Sequence, residues 1–483
     1  MVKQFVAVLL VMGLSGCVLG PDHVRPATDV PNGWGATNAS ESSADRIDPT
    51  WWRAFGDPVL TRLIEEALAR NADVSLAAAR VAEARAVLNL REAERYPLLS
   101  AQASGARQRS SADTAVPGGG GIVGDYSVAA VLSYEIDLWG RLARANEAAR
   151  AQLVAGEATQ AAVRLAVAAD VATGYFNLRA LDQQIDIAQQ TVQTRRDSYR
   201  LQESRYRNGA ISQLAFRQAE SELAAAEAEL PSLRQQRALQ VNALSVLMGG
   251  TPREIVQPVA MAGRSIEDFP ALPDVPMGLP SNLLERRPDI RAAEQQLRAA
   301  NAEIGIARAA YFPTLSLTGL LGTRSEELSG LFNGPAKTWQ FAGDLAAPMV
   351  DFGRTRANVR AAEARRDQAL VNYQQTVRVA FRDVLDALES RAAATDRIAA
   401  QDRQIVALRE TARLAQRRFD EGYSDYLEVL DAQRSLFAVE LARINTQQSR
   451  LRALVDLYKA LGGGWNPEEG AAAQVSREAA SDR

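Results

Sequence analysis

Few residues in this chain have the types and spacing for bond-making chemistry. There is one cysteine, Cys17, and one histidine, His23. A zinc or iron–sulfur centre built on Cys and His needs more ligands than these. Nucleophilic catalysis through a Ser–His or Cys–His pair would have to recruit His23, which lies in a Pro-rich N-terminal segment poorly suited to shaping a pocket. No phosphate-cradling Gly-rich loop stands between a strand and a helix. The reading is therefore of a protein that is not an enzyme, with no metal and no cofactor beyond a covalent lipid argued below. One electrostatic feature remains. In "EGYSDYLEVLDAQRSL" (421–436), Glu428, Asp431 and Arg434 sit among leucines at helical spacing. In a two-stranded coiled coil such charges on the seam are a fault or a register device. Repeated around an oligomer axis, the same acids would face one another and favour protonation or a bound cation.

The bulk numbers narrow the partners. Fifty-five basic residues against 58 acidic ones leave a net charge of −3, with no basic excess to displace counterions from nucleic acid. Aromatic content is only 6% and alanine is abundant, which favours long helices.

Cys17 reads as an address. Residues 1–16, "MVKQFVAVLLVMGLSG", combine Lys3 with an apolar run from Phe5 to Met12 that is too short to span a bilayer. Leu14-Ser15-Gly16-Cys17 resembles a bacterial lipobox, in which the cysteine is acylated and becomes the first mature residue. Val18 follows in place of the Asp that typically retains such proteins in the inner membrane, so the outer membrane is expected. Residues 17–50 read as a lipidated, extended tether.

An internal repeat organises the remainder. "RYRNGAISQLAFRQAESEL" (205–223) parallels "RFDEGYSDYLEVLDAQRSL" (418–436); Gly209 and Gly422, Gly140 and Gly353, and Gly249 and Gly462 are each 213 residues apart. Upstream the shift is 216, with Asp73 matching Asp289 and Pro97 matching Pro313. Helices are expected over 51–96 and 279–311, and long helical hairpins over 140–250 and 353–463. Between the repeats lies a linker, 251–278, and a flexible tail fills 464–483. A kink is expected at Pro231. Arg354 to Glu421 lacks Gly and Pro, and an unbroken helix there would be about 100 Å long. Leu430, Phe437, Ile444, Leu451 and Tyr458 recur every seven residues, a spacing that imposes supercoiling against a neighbour. That line alone is equally compatible with a simple two-stranded coiled coil.

The windows 97–139 and 312–352 decide between these. Tyr126, Val128, Ala130, Leu132, Tyr134 and Ile136 alternate with mostly polar or small residues; so do Leu315, Leu317, Gly319 and Leu321, and Trp339, Phe341, Gly343 and Leu345. Residues 98–109 alternate weakly. Such runs are the signature of membrane β-strands, apolar outward and polar inward, here two hairpins per chain. Soluble hairpins packed on helices are the alternative. Four strands cannot close a barrel and open edges in lipid are prohibitive, so the chain must oligomerise.

"DPTWWRAFGDPVLTRLIEEALARNADVSLAAARVAEAR" (48–85), "LPSNLLERRPDIRAAEQQLRAANAEIGIARAAYFPTLSLTG" (279–319) and "YLEVLDAQRSLF" with "LYKALGGGW" (426–465) resemble the outer-membrane factors of the TolC and OprM type, exit ducts of efflux pumps. The resemblance spans nearly the whole mature chain. It implies a fold that is mainly α with membrane β: a homotrimer whose twelve-stranded barrel lies in the outer membrane and continues as a periplasmic α-helical barrel. It also implies passive export of small toxic compounds, with a periplasmic adaptor and an inner-membrane pump of RND type as partners, besides outer-membrane lipid. The adaptor would dock at Asn208-Gly209-Ala210 and Glu421-Gly422-Tyr423. The constricting residues of such ducts match Leu427, Asp431 and Arg434, with a second acidic ring at Glu428. A protein-secretion duct and a coiled-coil adaptor or structural lipoprotein stay open as alternatives. Arg434, one turn along from Asp431, is a candidate partner for it within or between subunits. Subtracting 213 places uncharged Ala215, Gln218 and Ser221 at the three charged positions, so only the second hairpin carries these charges, and it is expected to move during opening while the first stays closer to fixed.

Overall fold

A computed structural model describes residues 18–31, 33–34, 47–109, 111, 121–257, 261–269, 275 and 280–466. The leader 1–16, Cys17 and the tail beyond residue 466 lie outside the described residues. The first repeat comprises α1 (Pro58–Arg70), α2 (Ala72–Ala93), β1 (Leu98–Arg109), β2 (Ile122–Ile136), α3 (Arg141–Arg207) and α4 (Gln213–Leu247). A short helix α5 (Pro252–Val256) follows. The second repeat comprises α6 (Leu283–Arg286), α7 (Pro288–Ala309), β3 (Thr314–Ser325), β4 (Lys337–Ala346), α8 (Arg354–Asp420) and α9 (Tyr426–Ala460). The duplication is visible in length: α3 and α8 have 67 residues each, α4 and α9 have 35 each, and α2 and α7 have 22 each. Pro231 lies inside α4 without ending it.

Two compact units result, each drawing on both repeats: residues 18–28, 80–157 and 292–374 form one, and 29–79, 158–291 and 375–466 the other. The second unit holds a core of large side chains. Trp51 stacks on Tyr458 at 5.1 Å, and Phe55 packs against Phe176 at 5.0 Å. Asp57 starts α1 by accepting from the Val59 and Leu60 amides, with Pro58 at the first turn, and its other oxygen accepts from the buried Tyr175 hydroxyl at 2.7 Å. A Cβ on Gly174 would lie 2.8 Å from Leu244, so this glycine permits the close approach of α3 and α4.

The first unit contains the sheet. Its four strands run in the order β1-β2-β3-β4, all antiparallel. The register aligns the alternation read from the sequence: Leu99, Leu132, Gly319 and Phe341 form one row, Ala101, Ala130, Leu321 and Trp339 the next. One face is therefore apolar across these rows, with Arg107, Thr323 and Lys337 toward its far end, and Ser100, Gln102, Ser127, Ser133, Ser316, Thr318, Gln340 and Asp344 fall on the other. The apolar face is bare: Trp339 is 71% exposed and Phe341 80%. Among the described helices none is long and apolar enough to cross a membrane.

Residues 18–28 are extended and held along the same unit. The Leu19 amide donates to Trp139 O at 3.1 Å, Arg144 donates to Leu19 O and Asp22, and Asn301 donates to Pro21 O. Arg25 donates through two nitrogens to Glu294, at 2.7 and 2.9 Å.

Candidate functional site: two hairpin tips and an uncovered helix face

The two tips are the same backbone object. α3 ends with the Gly209 amide donating to Tyr206 O and the Ala210 amide to Arg205 O; α8 ends with Gly422 donating to Phe419 O and Tyr423 to Arg418 O. These bonds satisfy terminal helix carbonyls and require a left-handed residue, which glycine supplies: φ is 71° at Gly209 and 81° at Gly422. Asn208, Gly209, Ala210, Glu421, Gly422 and Tyr423 are all exposed, and a Cβ on either glycine would meet nothing within 4 Å.

Immediately after the second tip, α9 is divided between two environments. Tyr426, Val429 and Leu430 are buried in a cluster with Ala219 and Ala415. Leu427, Glu428, Asp431 and Arg434 are exposed, and Leu427, Asp431 and Arg434 stand at the spacing of one helix face. Among the described residues, that face leaves Leu427 and Asp431 uncovered, with Glu428 exposed beside them. Glu428 makes one loose pair, 3.9 Å from Arg418.

Within the chain, Arg434 pairs with Glu222 of α4 rather than with Asp431, its Nε donating to Glu222 Oε1 at 2.6 Å and its Nη2 to the same oxygen. No described residue forms an ion pair with Asp431. Glu222 is itself buried, and its second oxygen lies 3.5 Å from Nη1 of the buried Arg195 on α3. Burial lowers the Arg195 guanidinium from its ordinary value, with the Glu222 charge acting against it, whereas the hydrogen bond to Glu222 raises that of Arg434. The acid that the first hairpin brings to this contact stands one position beyond Ser221, where the 213-residue shift does not point.

A second contact joins the hairpins nearer the tips: Arg205 donates to Asp420 at 3.1 Å and lies over the Phe419 ring. The site is a pair of exposed turns, a bare helix face and a charged clasp. The sequence pattern of the outer membrane efflux protein family matches residues 63–250 and 279–463. The chain belongs to that family. Its relatives include the toluene efflux pump outer membrane protein TtgI of Pseudomonas putida, 38% identical over 461 residues, 94% of this chain and 96% of TtgI. The cation efflux system protein CusC of Escherichia coli is 37% identical over 456 residues, 94% of this chain and 97% of CusC. Among solved structures, the Campylobacter jejuni CmeC outer membrane channel superposes with a TM-score of 0.89 at 28% identity, covering 96% of this chain and 98% of that one. This family member is an outer-membrane component of an efflux system, and the mainly helical chain with its four-stranded sheet has the fold of those channels.

Proposed function

We propose that three copies of this chain close a twelve-stranded barrel in the outer membrane and continue into the periplasm as a helical duct gated at α9. The four-stranded sheet carries this reading: one face is largely apolar and bare, and both edge strands lack a partner among the described residues. Each unsatisfied backbone group in lipid costs several kcal/mol, and four strands are too few to close. Three copies supply twelve strands, matching the implied oligomer of the family.

Transport is passive and the chain does no bond chemistry. The driving step belongs to an inner-membrane pump of RND type, coupled through a periplasmic adaptor that grips the exposed tips at Asn208–Ala210 and Glu421–Tyr423. Acyl chains on Cys17 add a firm second hold on the membrane, at about 0.8 kcal/mol per buried methylene. The cargo is small toxic compounds. TtgI is named for toluene and CusC for cations at nearly equal identity to this chain, which supports selection by the pump rather than by the duct.

At rest, Leu427, Glu428, Asp431 and Arg434 from three copies surround the axis, and the acids bind a cation there. Opening withdraws the second hairpin and parts Arg434 from Glu222. Single-channel recording in a planar bilayer tests this. Wild-type protein should conduct poorly and be blocked by divalent cations; Glu428→Ala with Asp431→Ala should raise conductance several-fold and abolish the block. Absence of conductance in both proteins would sink the duct, and identical conductance and block would sink the gate.

A further inference from the structure

The charged residues of the sheet are sorted by face, and the sorting points to a ligand at the strand ends far from the helices. This inference rests on the membrane barrel proposed above. The four strands contain three acids, Asp125, Glu135 and Asp344, and the register puts all three on the polar face. Of the four bases, only Arg324 shares that face. Asp125 neutralises it, its two carboxylate oxygens accepting from Arg324 Nε and Nη2 at 2.8 Å each. The other three bases lie on the opposite face. Arg107 stands opposite Gly124, Arg109 opposite Ile122 and Lys337 opposite Thr323, so each continues the bare apolar side. All three are exposed, and among the described residues none of them forms an ion pair.

Their height on the sheet is specific. β1 follows α2 and β2 leads into α3, so Arg109 at the end of β1 and Lys337 at the start of β4 stand at the ends remote from those helices. Arg107 is eight residues from Leu99, and Lys337 is eight from Leu345, the leucines of this face nearest the helices. Eight steps of about 3.4 Å cover about 27 Å along a strand. At the usual tilt of a membrane strand that is a vertical rise of about 20 Å, most of an apolar band about 25 Å tall. A cation on the lipid face is costly at the bilayer midplane and nearly free at the interface, which is where these three fall. Tyr126 lies between the apolar rows and the cations on the same face. Its ring covers Gly105 and Gly124, where an added Cβ would meet it at 3.1 and 2.9 Å. An aromatic ring with a polar tip belongs at headgroup level.

We propose that Arg107, Arg109 and Lys337 bind the phosphates of lipopolysaccharide, the phosphorylated glycolipid of the outer leaflet. The strand ends remote from the periplasmic helices face that leaflet. Arginine meets phosphate oxygens with a two-pronged donor fork, and lysine adds a point charge. Arg107 and Arg109 are about 7 Å apart along one strand. β1 and β4 are the edge strands, so closing the barrel sets Lys337 of one copy beside the arginines of the next. Three cations then gather at each seam, and one bisphosphorylated headgroup bridges two copies.

Lipid binding by the full-length trimer in detergent tests the site. Bisphosphorylated lipid A, the same lipid with its phosphates removed, and phosphatidylglycerol are each made to compete with a fluorescent lipid A. The wild-type trimer should prefer the phosphorylated lipid A about ten-fold over the dephosphorylated one, and salt should shrink that preference. Arg107→Gln with Arg109→Gln and Lys337→Gln should erase the preference while trimer and conductance stay as in wild type. Equal binding by variant and wild type overturns the site, as does equal binding with and without phosphates. Tighter binding of phosphatidylglycerol overturns the assignment to the outer leaflet. Each of these results leaves the duct standing. If the triple variant does not assemble, Arg109→Gln alone decides: a loss of about two- to three-fold is expected, and unchanged affinity overturns the site. Wild-type particles that are monomeric overturn the seam site and the closed barrel together.

Discussion

The two helical hairpins are one structure built twice, and they diverge where they meet. One ion pair inside each hairpin has been kept: Arg196 donates to Glu227 and Arg409 to Glu440, both at 2.8 Å, and both partners are related by the 213-residue shift. The tip turns repeat bond for bond. The contact between hairpins has not been kept. Arg195, Glu222 and Arg434 form a clasp on one side, and the shifted positions are Leu408, Ser435 and Ser221. A duplicated chain can therefore keep shared backbone rules in both repeats and still carry a charged contact at only one of the two related places.

Removing the acid from the clasp should have the largest effect. Glu222→Ala leaves Arg195 buried without a counter-charge and releases Arg434 as well. Breaking a buried pair by deleting one partner costs about 3–5 kcal/mol. The loss should appear as reduced hydrogen-exchange protection in α3 around Arg195 and in α4 around residue 222, with the corresponding stretch of α9 affected less. Equal protection in wild type and variant would mean that the clasp carries no load.

Arg434→Ala is the sharper probe because it spares the first hairpin. Glu222 keeps Arg195, and only the link between hairpins is lost. Arg434 is half exposed, so solvent screens the pair and the expected contribution is about 1 kcal/mol. That corresponds to about a five-fold rise in open probability in a bilayer recording, with protection in α3 unchanged. A variant that destabilised α3 as strongly as Glu222→Ala would show that the two arginines act as a single unit.

These contrasts mark how far the sequence was legible. The repeat, the strand faces and the helix lengths depend on periodicity and on glycine placement, which are local properties. The alternation along Tyr126–Ile136 and Trp339–Leu345 was enough to assign which face is apolar, and the observed register puts those faces together. The exposed face of α9 followed from the same logic, since Leu427, Asp431 and Arg434 share a helical spacing. The partner of Arg434 did not follow. Glu222 is 212 residues away and belongs to another helix, and the repeat relates it to Ser435, which has no charge to draw notice. A shift finds what duplication has conserved; it cannot find a contact acquired afterwards between the two copies.

The smallest expected effect lies at the tips, where the two regions should not differ. Gly209 and Gly422 both hold a positive φ and both face open space. An added methyl group therefore meets no neighbour, and the only cost is that of placing an L-residue in the left-handed region, about 1 kcal/mol at each turn. Gly209→Ala and Gly422→Ala should lower local stability by the same small amount, seen as matched changes in amide exchange at Ala210 and Tyr423. If only one of the two disrupts export while their stability losses match, the difference must come from what docks on the tips, because the turns themselves are alike. An adaptor that grips both turns with equal contacts would lose both alike; one that distinguishes Ala210 from the exposed ring of Tyr423 would not.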